Sequence, residues 1–244
     1  MAHDDSTPPP HAGAMFRLWW IPALLMPAAL LFLAIQPVHS TAVVLAMVLL
    51  WLGAGAWLAV LARRRAWRWV AAALILAPLV PLASPRAIDR TALADGYLAR
   101  LRAYEGTTYL WGGEGGLGID CSGLPRRAML GALLAQAYGR ASGPALAAAG
   151  DLLWHDASAR TMLAGYGGRM RAIGGERRLN QQQGDAQPGD VVITTNGIHA
   201  MVHLDAATII QAEPGAGRVI VERLPTDSPW YEQPAQVLRW RLLD

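Results

Sequence analysis

Three runs in which apolar residues fill every helical face open the chain: Leu18–Ile35, Thr41–Ala62 and Ala66–Ala83. Apolarity on all sides over about 17–25 residues marks a membrane span rather than an amphipathic helix. The middle run is comfortably long. The outer two are short and carry Pro22, Pro27, Pro78 and Pro81, which membrane helices tolerate best near their ends. Trp19, Trp20, Trp67 and Trp69 fall near run ends, as interfacial anchors do. The pattern predicts three transmembrane helices over residues 18–85, preceded by a disordered cytoplasmic tail over residues 1–17.

After Pro85 the pattern changes. Leu93, Tyr97, Leu101 and Tyr104 recur at helical spacing behind Asp89, a good N-cap residue, and predict a helix over Asp89–Tyr104. A glycine-rich loop, Tyr109–Gly123, follows. An alanine- and leucine-rich helix then runs to about Tyr138, with Gly139 as its stop. Residues 143–173 read as mostly helical and Gly174–Gln187 as polar and irregular. From Asp190 the period falls to two. Val191–Thr195, Ile198–Leu204, Thr208–Ala212, Arg218–Leu224 and Ala235–Arg241 predict five short strands joined by turn residues such as Asn196-Gly197. Helices first and consecutive hairpins afterwards predict an α+β domain with an antiparallel sheet over residues 86–244.

Charge follows the same division. Before Arg86 stand five arginines and two acids, a surplus of +3; from Arg86 onward there are 16 of each. The net charge of +3 therefore belongs to the apolar part and argues against a nucleic-acid partner. Arg63, Arg64 and Arg65 lie between the second and third runs and Arg68 just inside the third, whereas Gln36–Ser40 has no arginine. The positive-inside rule puts the arginine turn in the cytoplasm and, with three spans, the domain on the outer, periplasmic side of the inner membrane.

The domain holds the chain's one cysteine, Cys121. A single thiol excludes an internal disulfide or a multi-thiolate metal centre, and no metal or other cofactor is implied. Buried inert cysteines are common, but this one stands between a glycine-rich loop and a helix start, a suitable place for a nucleophile stabilised by the helix terminus. A thiol nucleophile needs an imidazole and a group that orients it. His3, His11 and His39 lie in the tail and apolar part, and His155 reads as a surface or capping residue. His199 and His203 share one predicted strand, about 13 Å apart at strand rise. His199, just after the Asn196-Gly197 turn, is the candidate base; His203 reads as a buried strand histidine. Gln211 on the next predicted strand lies within reach of the His199 end. It is either the orienting acceptor or a plain outward-facing polar residue.

Taken together these segments resemble the NlpC/P60 family of cell-wall peptidases, which have a papain-like core. Tyr109-Leu-Trp-Gly-Gly resembles its aromatic-glycine motif, Asp120-Cys121-Ser122-Gly123-Leu124 its nucleophile motif, and Pro188-Gly189-Asp190-Val191-Val192 the opening of its first sheet strand. His199-Ala-Met-Val-His-Leu-Asp resembles its base-bearing strand, and Ile210-Gln211-Ala212 the strand with the third polar residue. The resemblance covers roughly residues 89–241. It implies Cys121 as nucleophile, His199 as base and acid, and Gln211 as orienter, with Tyr109, Trp111, Asp120 and Ser122 lining the substrate site. It implies hydrolysis of amide bonds in peptidoglycan stem peptides. The partners expected are a peptidoglycan peptide or a membrane-linked precursor, and the lipid bilayer. Two departures stand out. Gln211 occupies a position often held by histidine, and Pro125 would clash one turn back if the helix began at Cys121. Two alternatives follow: acyl transfer or amidase action on a lipid-linked substrate, and a non-catalytic wall-binding module.

Overall fold

The computed structural model describes residues 21–36, 40–61, 65–181 and 184–244. The tail 1–17, Trp19, Trp20, Arg63 and Arg64 lie outside the described residues. The chain divides into two compact units.

The first unit comprises residues 21–35 with Leu45–Pro78. Its helices are Ile21–Ile35, Thr41–Leu61 and Arg65–Leu76; Thr41–Leu61 begins just outside the unit. Among the described residues only Thr41–Val60 is long and apolar enough to cross a membrane as one α-helix. Its 20 residues rise about 30 Å. Three such helices, as the hydrophobic runs predict, are not supported. The first described helix has 15 residues and contains Pro27. The third α-helix stops after 12, and Ala77–Ala83, bearing Pro78 and Pro81, winds into a 3-10 helix. Proline lacks the N–H that an α-helix needs, so the apolar run outlasts the α-helix.

The second unit holds the sheet. Asp89 caps the Arg90–Ala103 helix by accepting from Ala92 N at 3.0 Å. That helix buries Leu93, Tyr97 and Leu101, the residues whose spacing predicts it. The Gly123–Gly139 helix packs beside it, followed by Gly143–Trp154 and the short Ala159–Leu163. Within the glycine-rich loop β1 (Glu114–Gly115) and β2 (Gly118–Ile119) form a two-residue hairpin.

The main sheet is antiparallel and has six strands: β3 (Met170–Arg177), β4 (Val191–Thr194), β5 (Ala200–His203), β6 (Thr208–Glu213), β7 (Arg218–Arg223) and β8 (Ala235–Trp240). Their order is β3-β8-β4-β5-β6-β7. β4 to β7 are the predicted consecutive hairpins. β8 returns to the far side of β4, and β3 pairs only with β8. β3 corrects the expectation of a helical and irregular stretch between 143 and 187. Its sequence, Met-Arg-Ala-Ile-Gly-Gly-Glu-Arg, has one β-branched residue and no clean alternation, so only pairing with β8 makes it a strand.

Alternation along the strands builds two cores. Val191, Ile193, Ala200, Val202, Ile210, Ala212 and Leu238 face the helices. Val192, Met201, Ile209 and Val237 face Leu179, Leu224 and Tyr231 on the other side.

Candidate active site

Cys121 sits in the turn that launches the Gly123–Gly139 helix. Leu124 N donates to Asp120 O at 3.0 Å. Asp120 Oδ1 accepts from Gly123 N at 2.6 Å and from Ser122 Oγ at 3.0 Å, and its Oδ2 accepts from Gly112 N at 2.9 Å. One carboxylate thus caps the helix and pins the glycine-rich loop. Pro125 is the third helical residue, where the missing N–H has no partner to lose. A Cβ at Gly123 would collide with the Gly113 carbonyl, so the turn closes only with glycine there.

The Cys121 side chain is 7% exposed. Its thiol approaches Ile198 O at 4.0 Å. Burial pushes the thiol up to about 11; the negative charge of Asp120 adds to this, and the Ala200, Ser122 and Cys121 N–H groups oppose it. The sequence suggests a nucleophile stabilised as thiolate by the helix terminus. The structure corrects that: desolvation outweighs the backbone donors.

His199 lies immediately before β5, on the backbone that the thiol touches. The turn before it is set by Asn196, whose Oδ1 accepts from Thr194 Oγ1 at 2.7 Å and Ile198 N at 3.1 Å. Gly197 takes φ +71°, and a side chain there would press on Arg160. His199 is wholly buried. Its ring stacks on Trp230 with centroids 4.1 Å apart and 23° between planes. Its Nε2 is 2.5 Å from Gln211 Oε1. An amide oxygen only accepts, so Nε2 carries the proton and Nδ1 is left with its lone pair. Nδ1 has no hydrogen-bond partner among the described residues. Burial holds the His199 pKa below its ordinary value.

The register explains the reach. Val202 pairs with Ile210, so Gln211 stands across from Met201 and diagonal to His199 on the same face. Gln211 is wholly buried rather than outward-facing. Its Nε2 donates to Glu222 Oε2 at 2.5 Å and to Tyr231 OH at 3.0 Å. Tyr231 OH donates to Glu222 Oε2 at 2.8 Å.

A cleft of 480 Å³ opens over the thiol, a volume suited to a small-molecule or peptide segment. Tyr109, Trp111, Asp120, Cys121 and Ser122 line one side; Asp156–Arg160, Gly197 and Ile198 line the other. Trp111 is 79% exposed at the rim. Burial pushes the Tyr109 phenol up to about 12, helped by Cys121 and Asp120, so its hydroxyl stays protonated. Cys121 lines this cleft, whereas His199, His203 and Gln211 are all buried and none of the three lines it. His155 ends the Gly143–Trp154 helix and is exposed, with its Nδ1 2.9 Å from Asp151 O. Among the described residues no three metal-ligating side chains cluster.

A further pair stands in the cleft wall. Arg126 and Glu114 form a buried ion pair. Arg126 Nη2 also donates to Leu152 O at 2.5 Å, and its Nε to His155 O and Tyr166 OH, both at 3.2 Å. Arg126 therefore ties the glycine-rich hairpin to the C-terminal end of the Gly143–Trp154 helix, where carbonyls await donors. Glu114 Oε2 has no hydrogen-bond partner among the described residues, and burial raises the Glu114 pKa against the pull of Arg126.

Against known proteins, the model of the NlpC/P60 family matches residues 106–239, more than half of the chain. The chain belongs to the NlpC/P60 family. That family is typically one of cysteine peptidases and amidases and points to a peptidoglycan-related hydrolase. The NlpC/P60 match spans the glycine-rich loop, Cys121, His199, Gln211 and the main sheet up to Arg239 in β8. A solved P60 domain, from an antigen of M. avium subspecies paratuberculosis, shares 19% identity; the match covers 64% of this chain and 99% of that one with a TM-score of 0.37. No curated protein matches.

Among the NlpC/P60 residues, sequence reasoning missed Trp230, Glu222, Tyr231 and the Glu114–Arg126 pair. A signal for Arg126 exists: an arginine amid the apolar helix pattern Leu124–Leu134 breaks the face that must be buried. Glu222 sits in a strand whose alternation makes it look like an outward charge, and nothing local marks it.

Proposed function

We propose that this chain is a membrane-anchored cell-wall hydrolase that cleaves amide bonds in peptidoglycan stem peptides, with Cys121 as nucleophile, His199 as general base and acid, and Gln211 as orienter. The observation that carries this reading is the 2.5 Å Nε2–Oε1 bond. It leaves the Nδ1 lone pair free on the residue whose flanking backbone touches the thiol. With the thiol raised and the imidazole lowered, both groups are neutral at rest. The proton then passes from Sγ to Nδ1 as sulfur attacks the carbonyl, rather than beforehand. The Cys121 N–H stabilises the oxyanion. The imidazolium returns its proton to the leaving amine, giving a thioester. His199 then takes a proton from water, which attacks the thioester and releases the acid and the thiol. Tyr109, Trp111, Asp120 and Ser122 line the substrate side.

The test compares purified full-length protein with its Cys121→Ala variant on peptidoglycan, measuring new amino groups. Cleavage should vanish in the variant while melting is unchanged. Retained cleavage overturns the reading.

For the anchor, Thr41–Val60 supplies one span. Arg65–Leu76 is followed directly in sequence by the apolar 3-10 helix Ala77–Ala83. The domain lies outside the cell only if this segment crosses too, because the arginines before it favour the cytoplasm. A reporter active only outside the cytoplasm, fused after Asp244, should be active; a silent one reverses the topology.

Acyl transfer on a lipid-linked substrate is a second reading. The short tether favours it: Ser84 O accepts from Gly143 N at 3.1 Å, and Ser142 Oγ donates to Arg86 O at 2.7 Å. A flexible insertion after Pro85 should abolish action on a lipid-linked substrate while leaving soluble wall peptides cleaved.

A further inference from the structure

We infer that Glu222 is a positioning residue that decides which nitrogen of His199 carries the proton, acting through Gln211 and Tyr231; this rests on the Cys121–His199 reading above. The two ends of a glutamine amide are nearly the same shape, and only hydrogen-bond partners choose between them. A flipped Gln211 would offer an N–H to Nε2 of His199. The imidazole proton would move to Nδ1, and the nitrogen left for the thiol would be a donor instead of an acceptor. His199 cannot prevent this, since its ring accepts either tautomer. Trp230 fixes only the ring plane, by stacking.

The constraint comes from the far side. Gln211 Nε2 is 2.5 Å from Glu222 Oε2 and 3.0 Å from Tyr231 OH, and that hydroxyl is 2.8 Å from the same Oε2. Tyr231 OH donates to that carboxylate oxygen. The tyrosine oxygen is then free to accept from Gln211. Both amide hydrogens of Gln211 are thereby drawn away from His199, and Oε1 is left facing it. The other carboxylate oxygen accepts from Thr226 Oγ1 at 3.1 Å, which holds the group in place. A flip would set the amide oxygen 2.5 Å from a carboxylate oxygen, acceptor against acceptor. Gln211 and Tyr231 are wholly buried, so water does not relieve that clash. One acceptor thus orders the protons of three neighbours and points the lone pair of the base.

The test uses full-length protein in detergent and needs no substrate: the rate of iodoacetamide alkylation of Cys121 at neutral pH. His199→Ala and Glu222→Ala should each slow it about tenfold. The double variant should be no slower than His199→Ala alone, because Glu222 has nothing to act on once the imidazole is gone. Equal slowing by Glu222→Ala in both backgrounds would mean a merely structural role and overturns the proposal, as would an unslowed Glu222→Ala. If His199→Ala leaves the rate unchanged, the Cys121–His199 reading itself fails and takes this one with it. A second pair of substitutions guards against misfolding. Gln211→Glu combined with Glu222→Gln exchanges the two side chains. The carboxylate then faces the imidazole and the amide donates from behind. This double variant should recover the rate to within about threefold of the native protein, and failure to recover in a folded, normally melting variant counts against the proposal.

Discussion

Two groups of polar side chains are buried around the candidate site, and they are built differently. On the helical side, Glu114 and Arg126 form a charged pair in which the arginine is richly bonded and one glutamate oxygen has no partner among the described residues. On the sheet side, His199, Gln211 and Tyr231 relay hydrogen bonds to a single carboxylate, Glu222. The ion pair fastens three segments together: the hairpin, the nucleophile helix and the end of the next helix. Its energetics concern charge, and the direction of any one proton hardly matters. In the relay, each donor and acceptor is ordered, and the order is the useful property. The first arrangement should chiefly govern stability, the second chiefly reactivity.

The sharpest way to break this contrast is at Arg126. Arg126→Met strands the buried Glu114 carboxylate and should cost about 3–5 kcal/mol in chemical denaturation, since removal of one partner leaves a charge uncompensated. Glu114→Leu with Arg126→Met should recover most of that loss. If the single variant melts like the native protein, the pair is not a fastening.

Gln211→Leu should show the opposite balance. Hydrolysis should fall about 100-fold, while stability falls by only about 1–3 kcal/mol from the unpaired groups left behind. Parallel measurement of kcat and unfolding separates the two; a loss of stability with full activity would equate the two sides of the cleft.

The pH dependence of alkylation comes next. A thiol raised to about 11 should react faster with each step in pH well past 8.5, the free-thiol value. A plateau near neutrality would mean a preformed thiolate.

The smallest effect is on folding. His199 and His203 both have pKa values lowered by burial. Their folded forms are neutral, so their contribution is fully present above about 6.5, the unfolded value, and is lost as pH falls through the lower folded values. Melting temperature should drift down from neutral toward acidic pH, and His203→Gln should reduce that drift without changing hydrolysis.

The sequence made much of this readable because the responsible signals are local. A period of two places β4 to β8, Asp89 announces its helix, and the motifs put Cys121 just before a helix, His199 just before β5 and Gln211 on β6. What escaped depends on distant partners. β3 exists through β8. Glu222 and Tyr231 matter because a register brings them behind Gln211, and strand alternation alone would send a glutamate outward. The third apolar run carries Arg68 near its start, and its prolines change the winding. The thiol's raised pKa follows from how completely the fold covers it, which no motif records.

That covering has a chemical consequence beyond the hydrolytic cycle. Peroxides oxidise thiolates, not thiols. A sulfur that stays protonated at neutral pH and is almost shut off from solvent is a poor target for them. With no second cysteine in the chain, an internal disulfide cannot form either. The same desolvation that holds the proton on sulfur therefore shelters it from oxidative damage. Sulfenic-acid labelling after mild peroxide treatment should find Cys121 largely untouched.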